Sequence, residues 1–199
     1  MLAFSASSLR ARLPFTWLVF GLVAFVMNHA AFGKDTIPPL TSAGQVIVLR
    51  HANAPGVGDP ADMTLDDCTS QRNLDDRGRT QAKHLGDRLR AAGLKDLAVY
   101  TSQWCRCRDT ARLLAIGEVK DLPALNSFFA RPEQRTERTQ ALRVFLDQLP
   151  RNAAPLILVT HQVNITALTG FFPSSGEGVV LRLRENGGFE RVGEIAATE

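Results

Sequence analysis

Several things are missing from this sequence. No run of Lys or Arg exceeds two residues, so the formal charge of +3 carries no nucleic-acid footprint. No stretch beyond residue 33 is long and apolar enough to span a bilayer. There is no internal repeat and no low-complexity tract. The G-x-S-x-G elbow and the G-x-x-x-x-G-K phosphate loop are absent. No cysteine has an arginine six positions later, which disfavours a cysteine-nucleophile phosphatase. No D-x-D pair occurs, which counts against an aspartyl-phosphate enzyme. Cys105-x-Cys107 has no second pair at zinc spacing, so no metal site is expected.

What is present is an ordinary globular chain. Of 199 residues, 45% are hydrophobic and 22% charged, which excludes a disordered or collagenous protein. The N-terminus differs from the rest. Arg10 and Arg12 precede a 15-residue apolar stretch, Leu13 to Met27, and Ala31-Phe32-Gly33 offers a small-x-small cleavage pattern. Residues 1–33 read as a secretory signal, with an uncleaved membrane anchor as the rival reading. Their removal takes the formal charge from +3 to +1. Residues 34–199 read as one domain, expected to be periplasmic or secreted, with no membrane contact once the signal is cleaved.

The three cysteines, Cys68, Cys105 and Cys107, are odd in number, so at least one thiol stays free or pairs between chains. An exported chain meets an oxidising compartment. Cys105 and Cys107 are too close on a helix for an unstrained bridge. A bridge from Cys68 to one of them stands beside three buried thiols.

The rest of the chain alternates strand and helix patterns. Lys34 to Ala43, with two prolines, reads as a linker. Gln45–Arg50 is a β-branched apolar run bounded by polar residues, a buried strand. Residues 52–70 form a long loop, and loops of that length usually have a job. Asn73 to Ala92 is helical, with Asp75 as its cap and Gly93 as its stop. Leu97–Thr101 is a second strand, and Ser102 is placed to cap the helix after it. Pro132 to Leu149 is a helix with proline in its first turn. Leu156–Thr160 is a third buried strand, and Asn164 to Gly170 a short helix. Val179–Arg184 and Phe189–Ile195 flank Asn186-Gly187-Gly188 as a hairpin. The pattern predicts an α/β fold, a three-layer α/β/α sandwich with a mostly parallel sheet and antiparallel edge strands.

Chemistry collects after the buried strands. The first ends in Arg50-His51, the second leads through Ser102 to Arg106, and the third ends in Thr160-His161. Ligands of open parallel sheets bind beyond the carboxyl ends of the strands. Two histidines and two arginines converging there suit a phosphoryl group. Helix N-termini after Ser102 and His161 would add N–H donors. A neutral imidazole is a nucleophile, and a cationic one stabilises charge on phosphoryl oxygens.

At these residues the sequence resembles the histidine phosphatase superfamily, the phosphoglycerate-mutase-like fold, branch 1. Leu49-Arg50-His51-Ala52 is similar to its Arg-His-Gly signature. Ser102 to Ala111 resembles its Ser-x-x-x-Arg-x-x-x-Thr-Ala segment, and Val159-Thr160-His161 its second histidine motif. Leu74, Gly78, Gln81 and Ala82 resemble a Leu-x-x-x-Gly-x-x-Gln-Ala helix. The likeness runs from about residue 45 to 170. It implies that His51 attacks phosphorus and forms a phosphohistidine, which water hydrolyses. Arg50, Arg106 and His161 would bind the transferred group, with Ser102 in the substrate site. It implies no metal or organic cofactor. Cys68 lies in the loop before the Gly78 helix and Cys105 beside Arg106, so the bridge favoured here is Cys68–Cys105, which would pin the long loop near the site.

Two departures matter. Ala52 replaces the usual glycine and is still small. The usual acidic proton donor is missing from Asn126–Glu133. Glu133 is the candidate donor there, and reads equally as an acid complementing a helix N-terminus. The acidic residues Asp59, Asp62, Asp66 and Asp67 read as a solvated loop surface.

The function expected is therefore an exported phosphatase of small phosphate monoesters working through His51. The alternative is a non-catalytic module that holds a phosphorylated ligand. A mutase needs insertions that residues 34–199 leave little room for.

Overall fold

A computed structural model describes residues 43–197 of the chain, all within the unit Gly33–Glu199. The expected signal, residues 1–33, and nearly all of the linker lie outside the described residues.

Six strands form one sheet. They are β1 (Gln45–Arg50), β2 (Val99–Thr101), β3 (Val119–Asp121), β4 (Leu156–Thr160), β5 (Gly178–Leu183) and β6 (Phe189–Ile195). Their spatial order is β3-β2-β4-β1-β5-β6. The pairs β3–β2, β2–β4 and β4–β1 are parallel; β5 runs antiparallel to β1, and β6 to β5. The expected hairpin is β5–β6, closed through Gly187 and Gly188 at φ +89° and +71°. Strand β3 escapes sequence reading because it is three residues long, half-exposed and carries Lys120 and Asp121.

Four helices cover the sheet: α1 (Asp76–Ala91), α2 (Cys105–Leu114), α3 (Arg135–Gln148) and α4 (Gln162–Thr169). Strand residues alternate between two cores, as the two-residue period of a strand requires. Ile47, Leu49, Ile157 and Val159 pack with Leu85 and Leu89 of α1 and Leu114 of α2. Val46, Val48 and Leu158 pack with Leu142 and Leu146 of α3 and Ile165 of α4. The result is the expected three-layer sandwich. Each fully buried leucine contributes about 1.5–3 kcal/mol.

Local chemistry sets the helix ends. Asp75 caps α1, its side chain accepting from the Gly78 N–H at 2.7 Å. Gly93, at φ +86°, turns the chain out of α1. The helix predicted from Pro132 divides into a 3-10 turn, Pro132–Gln134, and α3. The N-cap of α2 is Trp104, not Ser102.

Residues 52–75 form the long loop, interrupted by one 3-10 turn, Cys68–Ser70. A disulfide joins Cys68 to Cys105 at the first residue of α2, with Cα atoms 5.7 Å apart. Cys107 is the free, buried thiol.

Candidate active site

Strand order explains why the candidate residues meet. β2, β4 and β1 are neighbours, and Arg50 lies in register with Thr160. His51 and His161 therefore leave adjacent strand ends, and the His51 N–H donates to the Thr160 carbonyl at 2.9 Å. Their rings stand edge to face with centroids 5.5 Å apart. Arg106 reaches between them from the first turn of α2.

His51 is 2% exposed. Its Nδ1 lies 2.8 Å from the Ala52 carbonyl, so Nδ1 carries the proton and donates it there. Nε2 keeps its lone pair and accepts from Nε of Arg106 at 3.2 Å. Burial and the Arg106 charge hold the His51 pKa well below 6.5, so the ring is neutral at neutral pH. A neutral imidazole whose Nε2 carries the lone pair has the electronic form of a nucleophile once that arginine bond is given up.

His161 has the opposite tautomer. Nη2 of Arg106 donates to its Nδ1 at 3.4 Å, so Nε2–H donates to Ser102 Oγ at 2.9 Å. The Ser102 hydroxyl passes its proton toward Asn126 Oδ1 at 3.3 Å. Burial, then Arg106, lowers this pKa too. The cationic form considered from sequence is thus disfavoured while no anion is bound.

Ser102 is fully buried behind His161 and does not line the cavity. The expected N–H cradle at α2 is already engaged within the protein. Gln103 N–H bonds Asn126, Trp104 N–H bonds Ser102, and Cys105 N–H bonds Gln71. At this helix start anion binding therefore falls to side chains, whereas the start of α4, Gln162 and Val163, lies on the cavity wall.

Those side chains are arginines. Arg50 donates through Nη1 to the Pro173 carbonyl at 3.0 Å, while its Nε is a buried donor with no partner among the described residues. An unsatisfied buried N–H is costly, and it marks a place where a ligand oxygen would be stabilised. Arg106 is 3% exposed. Arg72, missed by sequence reasoning, reaches into the same cavity while bonding the Ala54 and Gly58 carbonyls. The cavity holds about 470 Å³, a size suited to a small molecule.

The acidic loop differs from expectation at one residue. Asp62, Asp66 and Asp67 are exposed, but Asp59 turns inward. Its carboxylate takes Nη1 of Arg106 at 2.7 Å and Nη2 at 3.0 Å. It also accepts from the Trp104 indole at 3.1 Å and the Arg72 N–H at 3.1 Å. Burial raises the Asp59 pKa, but bonding to Arg106 outweighs it and keeps the carboxyl ionised. Sequence could not single it out from its three acidic neighbours.

Glu133 is exposed on its 3-10 turn. Unlike Arg131 and Gln134 beside it, it is not part of the cavity wall. The structure does not bring it together with His51.

The supporting motifs have physical roles. Gln81 Oε1 accepts from the Asn53 N–H at 2.9 Å, and Asp75 from the Asn53 amide at 3.0 Å. Thr110 Oγ1 accepts from the Ala52 N–H at 3.0 Å. Helices α1 and α2 thus hold the chain just after His51. Gly78 lets α1 approach: a Cβ there would sit 2.0 Å from the Asn53 carbonyl oxygen.

Residues 46–128 match the family model of the histidine phosphatase superfamily, branch 1. The mitochondrial serine/threonine-protein phosphatase Pgam5 of Drosophila virilis is 38% identical over 73 residues. That stretch is 37% of this chain and 22% of the relative, so the chain spans about a fifth of the curated relative it matches. Among solved structures, the protein histidine phosphatase SixA complexed with tungstate superposes with a TM-score of 0.54 at 15% identity, over 76% of this chain and 96% of that one. The mycobacterial glucosyl-3-phosphoglycerate phosphatase gives 0.55 at 17% identity, over 77% and 99%. At these identities the solved structures speak for the fold. The motifs and the match over residues 46–128 make this part of the chain similar to the histidine phosphatase superfamily, branch 1.

Proposed function

We propose that this chain is an exported phosphatase that hydrolyses small phosphate monoesters through a phosphohistidine on His51. The observation that carries the reading is the Nε2 lone pair of His51, fixed by the Nδ1–H bond to Ala52 and facing Arg106. In this mechanism the incoming phosphoryl oxygens take the Arg106 donors that now point at the two imidazoles. The partnerless Nε of Arg50 takes another oxygen. Nε2 attacks phosphorus, the N–P bond forms, and the ester P–O bond breaks. Water then attacks the phosphohistidine, releasing phosphate and restoring the imidazole.

Guanidinium groups supply the positive charge that the transferring group needs, so the reading requires no metal. Asp59 is the sole carboxylate on the cavity wall among the described residues, and Arg106 holds it ionised. Esters whose leaving oxygen departs without a strong acid, such as aryl phosphates, suit this site best. The fold neighbours, a protein histidine phosphatase and a glucosyl-3-phosphoglycerate phosphatase, support a phosphorylated substrate. Export is supported by the pattern of residues 1–33 and by a disulfide, which persists in oxidising compartments.

The deciding assay is hydrolysis of 4-nitrophenyl phosphate with and without a chelator, His51→Ala alongside. Chelator-insensitive turnover, lost in the variant, with an acid-labile phosphoryl adduct on the native protein, is expected. A folded protein with no turnover would shift the reading to a module that binds a phosphorylated ligand. For export, the full chain expressed in a bacterium should yield a processed product beginning near Lys34. A cytoplasmic product retaining Met1 would contradict it.

A further inference from the structure

Five arginines line the cavity: Arg50, Arg72, Arg106, Arg131 and Arg138. Against them stands one carboxylate, Asp59. The first three surround the histidines or brace the loop beside them. The last two come from elsewhere. Arg131 precedes the 3-10 turn Pro132–Gln134, and Arg138 lies in the first turn of α3.

Neither serves the phosphoryl group described above, and neither makes an ion pair among the described residues. Arg138 is nevertheless held in place. Its Nε and Nη2 donate to Gln134 Oε1 at 3.4 and 3.3 Å, and Nη1 donates to the Pro123 carbonyl at 3.1 Å. All three bonds go to uncharged acceptors, so the guanidinium is oriented without being neutralised. The nearby acids Glu133 and Glu137 are exposed and do not line the cavity. The same wall also carries exposed apolar side chains. Val57 is 87% and Phe129 54% exposed, and both line the cavity. The loops that carry them approach closely, since a Cβ at Gly58 would lie 3.8 Å from the Phe129 ring.

We infer that Arg131 and Arg138 form a second anion subsite. The substrate class is then a small phosphate monoester bearing a second phosphate or carboxylate on a short spacer. The inference rests on the phosphatase reading for its first subsite. One phosphoryl group sits at His51, the spacer lies against Val57 and Phe129, and the distal anion meets Arg131 and Arg138. Guanidinium forks match phosphate and carboxylate alike, and the cavity volume suits a small ester rather than a folded phosphoprotein.

The test measures binding, so it does not depend on turnover. Calorimetry on the His51→Ala protein would use propyl phosphate, propane-1,3-diyl bisphosphate and 3-(phosphonooxy)propanoate. The doubly anionic esters should bind at least about tenfold tighter than propyl phosphate. Arg131→Gln with Arg138→Gln should remove that advantage and leave propyl phosphate within twofold. The corresponding double lysine variant should keep part of it. Arg77→Gln, exposed on α1 away from the cavity, should change nothing and so separates a subsite from general charge attraction. The ratio between bisphosphate and carboxylate tells which distal anion fits. Equal affinity for all three esters, no binding of any, or equal loss across them in the double variant overturns the subsite. Turnover by the native protein runs in parallel. Its absence, with the binding pattern intact, removes the phosphatase reading and leaves the subsite standing.

Discussion

The Asp59 carboxylate holds Arg106 by both terminal nitrogens, at 2.7 and 3.0 Å, while Nε of the same guanidinium faces the His51 lone pair at 3.2 Å. A residue from a long loop thus sets the aim of the arginine that sits between the two histidines. Asp59→Asn removes the charge that offsets Arg106. Breaking a buried ion pair from one side costs about 3–5 kcal/mol. We expect a lower melting temperature and a roughly 10–100-fold fall in kcat/KM for an aryl phosphate, mainly through KM. Unchanged kinetics in a folded variant would show that Arg106 needs no such anchor.

The two histidines set an acid limit on stability. Both pKa values are depressed, by burial first and by Arg106 second. Above the unfolded pKa near 6.5, both states are neutral and this stabilisation is fully present. As pH falls below it, the unfolded chain takes up protons that the folded rings refuse, so stability drops. The slope is at most about 1.4 kcal/mol per pH unit for each ring. Urea unfolding at pH 7.5, 6.5 and 5.5 should show a falling midpoint. A flat midpoint over that range would mean that the rings are not buried neutral.

Reduction of Cys68–Cys105 releases a loop closed over a sequence separation of 37. Chain entropy puts the loss at about 3–4 kcal/mol. Thiol counting gives an independent check. Cys107 is fully buried and its thiol is pushed up to about 12, burial being the main cause. Native, oxidised protein should show no reactive thiol, unfolded oxidised protein one, and unfolded reduced protein three. A native count of one would mean that Cys107 is accessible.

Gly78→Ala separates helix propensity from packing. In an exposed helix the change would stabilise by up to about 1 kcal/mol. Here the new Cβ falls 2.0 Å from the Asn53 carbonyl oxygen, two residues beyond His51. We expect destabilisation of roughly 1–3 kcal/mol and a loss of activity as the chain after β1 shifts. A neutral or stabilising result in denaturant unfolding would mean that α1 withdraws at little cost.

Much of this protein was legible in one dimension. The apolar runs at 45–50 and 156–160 are long, β-branched and sharply bounded, and both are buried strands of the sheet. Because ligands meet parallel sheets at strand carboxyl ends, Arg50, His51, Arg106 and His161 could be grouped before any coordinates existed. Strand β3 was illegible, being short and half-exposed with no periodicity to detect.

Tertiary structure decided what depends on direction rather than spacing. Four acids in one loop look alike in sequence, yet only Asp59 turns inward, because a buried guanidinium waits there. Ser102 faces the back of His161, and the N–H groups around the start of α2 are engaged by Asn126, Ser102 and Gln71, which come from three separate segments. Glu133 and Arg131 are two residues apart, yet only the arginine reaches the cavity wall. Local sequence sets periodicity, caps and breaks, because those forces act within a few residues. Which side chain meets which charge is settled by packing among segments far apart in the chain, and a single sequence does not spell that out.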